Sequence, residues 1–158
     1  MRKLLSGGVV VFAGMVAAPF TVSPQQASKA PAPDYRKDPR LERLRRFFVR
    51  QGCPAQQFSQ AFLEAADQNA LDWRLLPSIS FVESSGGKSF RNNNLFGWAS
   101  GRAAFPSVTA GIHTVGYHLA NSALYKDKSL DGVLATYNPG NEYAKTVKSV
   151  MRRISPTE

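Results

Sequence analysis

Cysteine is nearly absent from this 158-residue chain. Cys53 stands alone, which excludes an intrachain disulfide framework and any cysteine-based zinc site. Histidine is scarce as well: His113 and His118 miss the i,i+4 spacing that places two ligands on one helix face, so both read as structural or surface residues. No metal or cofactor is expected. Long apolar runs are also missing. The extended uncharged segment Leu4–Phe20 is short for a transmembrane helix and is broken by Gly7, Gly8 and Gly14. Acidic residues number 11 against 20 Lys and Arg, a net charge of +9, and none occurs from 84 to 126. That balance favours an anionic partner without choosing among nucleic acid, membrane surface and cell-wall polymer. What is present suffices for a core, because 43% hydrophobic and 20% charged residues exclude wholesale disorder.

Residues 1–22 read as an export signal or an N-terminal anchor. Arg2 and Lys3 form a basic start, followed by the apolar run Val9-Val10-Val11-Phe12-Ala13. Val16-Ala17-Ala18 and Ser28-Lys29-Ala30 both offer small residues for cleavage, but Pro19 and Pro31 follow them, so removal and retention both stay open. Any membrane link would run through this segment alone. Residues 23–38, rich in Pro, Gln, Ser and Ala, read as a flexible linker, and residues 39–156 as one domain.

The domain is expected to be mainly α with one small β-hairpin. Asp38-Pro39 starts a helix carrying Leu41, Leu44, Phe47 and Phe48, with Arg40, Arg43, Arg45, Arg46 and Arg50 between them. These arginines are either a clamp on an anionic polymer or the solvated face of an amphipathic helix. Gly52-Cys53-Pro54 leads into a second helix through Phe58, Phe62 and Ala66. Asp72 caps a third, through Leu75, Leu76, Ile79 and Val82, stopped by Gly86-Gly87. Residues 94–106 read as a hairpin turning at Ala99-Ser100-Gly101. Ser107, Ser129 and Asn141 cap three further helices, the last with the stripe Tyr143, Val147, Val150, Met151 and Ile154. No internal repeat is present.

Chemistry concentrates at Phe81-Val82-Glu83-Ser84-Ser85-Gly86-Gly87. Glu83 is the only acid between Asp72 and Asp127. A helix C-terminus and apolar neighbours both disfavour an ionised carboxylate, and a carboxyl that keeps its proton suits a general acid for glycosidic cleavage. The alternative is an ordinary surface Glu in a last helical turn. Asn93, Asn94, Phe96 and Trp98 are either amides and aromatics for sugar recognition or a loop with core aromatics. Tyr137, before Asn138-Pro139-Gly140, is either a packed residue or a group facing the cleft.

Glu83-Ser84-Ser85-Gly86, Asn93-Asn94-Leu95-Phe96-Gly97, Tyr137-Asn138-Pro139 and Tyr143-Ala144 occur in that order, and together they resemble the lysozyme-like superfamily. The closest likeness is to bacterial peptidoglycan glucosaminidases, the endo-β-N-acetylglucosaminidase domains of glycoside hydrolase family 73, over about residues 58–154. Lytic transglycosylases share the Glu-Ser helix end and a later Tyr-Asn turn. The resemblance implies a lysozyme-like helical domain in which the hairpin is a β-lobe lining a cleft. Glu83 and Tyr137 would be catalytic, and Ser84, Asn93, Asn94, Phe96, Trp98 and Asn138 would bind substrate.

Two departures matter. Leu95-Phe96-Gly97-Trp98 stands where transglycosylases usually carry Gly-Leu-Met-Gln, and the lobe lacks the second carboxylate that glucosaminidases often have. A one-acid mechanism assisted by the substrate's own acetamido group is therefore expected. The expected protein is an exported, monomeric enzyme acting on peptidoglycan glycan strands. Its rivals are a lytic transglycosylase and a non-catalytic peptidoglycan-binding module. Nucleic-acid binding rests only on charge, and the export signal argues against it.

Overall fold

The structure, a computed structural model, describes residues 33–156. The leader expected over 1–22 and most of the expected linker lie outside the described residues. Six α-helices carry the domain: α1 (Pro39–Arg50), α2 (Ser59–Gln68), α3 (Leu75–Ser84), α4 (Val108–Asn121), α5 (Leu130–Tyr137) and α6 (Tyr143–Ile154). Single 3-10 turns at Tyr35–Lys37 and Pro54–Phe58 complete the regular structure. The protein is mainly α. None of the helices described is long and apolar enough to cross a membrane.

Local chemistry explains most helix starts. The Asp38 side chain accepts from the Arg40 amide at 2.8 Å with Pro39 at the first helical position, and Ser107 and Ser129 cap α4 and α5 in the same way. Two starts differ from expectation. α3 begins after Arg74, because Asp72 makes a tight turn by accepting from the Arg74 amide at 2.9 Å. α6 has Glu142, not Asn141, at its N-cap, and no side chain bonds that cap.

The linker expected to run to residue 38 is docked before it ends. Tyr35 is buried and its hydroxyl donates to Asp67 Oδ2 on α2 at 3.1 Å. Arg40 bridges Asp38 and Asp67, at 2.6 and 2.8 Å. Of the other α1 arginines, Arg46 pairs with Glu42 and Arg43 donates to Ser155 Oγ.

α2 packs on α1, α3 and α4, while α3 packs on α6 and α6 on α5. Phe47, Phe48, Phe62, Ile79, Phe96, Ile112 and Leu134 fill the space between them and are fully buried. Burying side chains of this size, each stabilising by about 2 kcal/mol, is what holds the helices together.

The hairpin expected over 94–106 does not form. Among the described residues the one β-bridge pairs Arg91 with Asn94, and the segment is a looped chain. The reason is local: Gly97 is left-handed within the expected first strand, and the Phe96 and Trp98 amides bond the Asn94 side chain in place of a partner strand.

Candidate active site

α3 delivers Glu83 to the surface on its last turn. The helix stops at Ser85, which is left-handed at φ 53°, and the Gly86 amide reaches back to the Ser80 carbonyl at 3.2 Å. Gly86 packs so closely on Cys53 that a Cβ there would lie 2.7 Å from Sγ. The helix end is thereby fastened to the turn between α1 and α2, and the position of Glu83 follows from it.

The Glu83 carboxylate lies directly over Gly97. A Cβ at residue 97 would sit 2.8 Å from Glu83 Oε2, and Gly97 has φ +61°. Around this contact is an open cleft of about 440 Å³ lined by Glu83, Ser84, Lys88, Phe90, Arg91 and Asn94, among others. That volume is within the range of small-ligand sites. Glu83 is the only carboxylate on its wall, and Lys88 and Arg91 make the opening positive. A second depression, lined by Trp98, Leu124, Tyr125 and Tyr137, shares Gly97 with the first. Glu83 itself is exposed, so the apolar enclosure expected from its neighbours is not present.

The other expected site residues divide. Trp98 is half-buried, stacked on His118 with ring centres 5.8 Å apart, and flanked by Tyr125 and Tyr137 at 6.0 and 5.7 Å. Tyr137 comes to the same place and donates its hydroxyl to the Phe96 carbonyl. Burial and the Glu83 charge hold that hydroxyl's pKa well above the ordinary phenol value.

Five residues expected to touch substrate serve the fold. The Phe96 ring is 1% exposed and belongs to the core. Asn94 borders the cleft, but its amide donates to the Trp98 and Ala103 carbonyls and accepts from the Phe96 and Trp98 amides, at 3.0–3.3 Å. Its capacity is spent on the loop. Asn93 donates to the Phe105 carbonyl at 2.8 Å. Ser84 is buried, donating to the Ser80 carbonyl and accepting from the Gly87 amide. Asn138 ends α5 and accepts from the Gly140 amide, and it lines neither depression.

No family model, curated protein or solved structure matches this chain.

Sequence reasoning missed Tyr143. Its place in the α6 stripe assigns it to the core, and its ring does stack on Tyr137 at 5.9 Å with the planes 5° apart. The hydroxyl, however, is buried without a hydrogen-bond partner. Burial first, and the Glu83 charge next, drive the phenol's pKa strongly upward. The available signal was a single hydroxyl on an otherwise apolar helical stripe.

The arrangement therefore places one carboxyl group on a positive cleft. Trp98, Tyr125 and Tyr137 line the depression that adjoins it.

Proposed function

We propose that this chain is an exported enzyme that cleaves β-1,4 glycosidic bonds in peptidoglycan glycan strands, of the endo-β-N-acetylglucosaminidase type and with a lysozyme-like helical fold. The observation that carries the reading is the single carboxylate, Glu83, held over Gly97 in a cleft whose only other charged wall residues are Lys88 and Arg91. Positive charge at the opening suits a polymer bearing peptide carboxylates. The half-buried Trp98 offers an indole to a sugar ring, and the open cleft admits a strand.

In this mechanism Glu83 gives its proton to the leaving glycosidic oxygen as the C1–O bond breaks. The carbonyl oxygen of the substrate's 2-acetamido group bonds to C1 and takes up the developing positive charge. Water then adds at C1, the acetamido group is restored, and the water's second proton returns to Glu83. Atoms and protons balance without a second carboxylate.

The lytic transglycosylase outcome is the second reading, favoured by the lack of another carboxylate on the cleft wall to activate water. There the sugar's own 6-hydroxyl closes on C1. Digesting purified sacculi and identifying the fragments by mass spectrometry separates the two. Reducing N-acetylglucosamine ends support the glucosaminidase, and 1,6-anhydro-muramyl ends the transglycosylase. Glu83→Gln should lower release by about a thousandfold while folding is kept. Binding of sacculi by well-folded wild-type protein without any release would instead identify a non-catalytic module.

A further inference from the structure

Arg153, on the last turn of α6, is exposed, yet its guanidinium is held in one place. It lies over the Phe47 and Phe81 rings at 5.6 and 5.4 Å, and Nη2 donates to Gln51 Oε1 at 2.8 Å. No carboxylate among the described residues pairs with it, whereas Arg40, Arg46 and Arg74 all have at least one. A guanidinium carries five N–H donors in a planar fork, so the bond to Gln51 leaves donors that match a carboxylate.

Arg153 lines a groove of about 520 Å³ between α3 and α6, a volume within the range of small-ligand sites. Phe81, Val82 and Val150 supply its apolar wall, Lys145 is the second cation on it, and no Asp or Glu lines it. Lys145 shares its charge with Glu142 at 2.9 Å, which leaves Arg153 as the anchor. The groove and the candidate cleft share the last turn of α3 as a partition. Glu83 and Ser84 line the cleft, and Val82 and Ser85 line the groove. Crossing a helix takes about 10 Å, a span that about three extended residues cover.

We propose that the α3–α6 groove binds the peptide carried by the glycan strand, with Arg153 holding one of that peptide's carboxylates. The proposal rests on the reading of the cleft as a site for peptidoglycan strands. Charge complementarity selects the occupant: an acidic peptide attached to a sugar in the cleft meets two cations and no acid on the far side of one helical turn. The strand seated in the cleft raises the local concentration of its own peptide, so this second contact lowers KM and leaves kcat alone.

The test has a binding arm and a turnover arm. In amide NMR of the full chain, N-acetyl-L-Ala-γ-D-Glu-L-Lys-D-Ala should shift Val82, Ser85, Ser149 and Val150, which line the groove. The same peptide with both carboxylates amidated should bind about tenfold more weakly, and Arg153→Gln should weaken the free acid by a similar factor. On soluble glycan strands, wild-type KM should be about tenfold lower with the peptides attached than after an amidase has stripped them, with kcat within about twofold. Arg153→Gln should bring that KM ratio to within about twofold. Ser149→Trp, at an exposed position on α6, fills the groove while Arg153 keeps its stacking, and should reduce the ratio in the same way. Equal binding of the amidated peptide, unmoved groove amides, or a wild-type KM ratio near one overturns the proposal. If the wild type cleaves neither kind of strand, but the groove amides shift and Arg153→Gln removes the shift, the peptide site stands and the proposed reaction is what fails.

Discussion

Gly97 carries two requirements at one residue: a left-handed backbone and an empty Cβ position beneath Glu83 Oε2. Gly97→Ala meets both penalties. It should destabilise the fold by roughly 1–2 kcal/mol, read as a lower urea midpoint, and should cut fragment release further by displacing the carboxylate. Glu83 was legible in the sequence because acids are missing on both sides of it and small residues follow it. Asn94 was misread because an amide bonds a sugar and a backbone equally well; only its burial at 4% exposure decides between them. Phe96 failed in the same way, since an aromatic beside a glycine serves a core or a cleft.

Elements with local causes were the legible ones. α1, α4 and α5 start at their expected caps because an Asp or Ser side chain meets an amide two or three residues on, and this needs no distant partner. The segment 85–106 lies outside such rules. Its path is set by Asn94 and by consecutive left-handed residues, and alternating apolar residues there do not imply a strand. Asn94→Ala should therefore cost more than any cap: roughly 2–3 kcal/mol, because it strands buried loop amides and carbonyls. Asn93→Ala, which breaks a single such bond, should cost about 1 kcal/mol. Chemical denaturation of the two variants side by side checks the order.

For the domain as a whole, the first of the described residues are tied to α2 through charge. Hydrogen bonds from Arg40 hold both Asp38 and Asp67 below the usual carboxylate range, and at Asp72 the bonds and charge of Arg74 outweigh a burial effect that acts upward. Tyr35 is pushed up to about 12 by burial first and by its bond to Asp67 next. Carboxylates depressed in the folded state add stability above their unfolded value, near 4, and lose it as pH falls through the folded one. Thermal midpoints should thus be flat from about pH 7 to 5 and fall below about pH 4. Asp67→Asn should lose roughly 1 kcal/mol at neutral pH, a figure limited by solvent screening, and flatten that acid drop. Residue pattern alone determined that the chain is mainly α and where most helices begin, because periodicity and capping act within a few residues. Only the tertiary structure decided which polar side chains serve the loop and which reach the cleft. Glu83 and Gly97 belong to different segments, and it is the loop after α3 folding back on the helix end that brings them together.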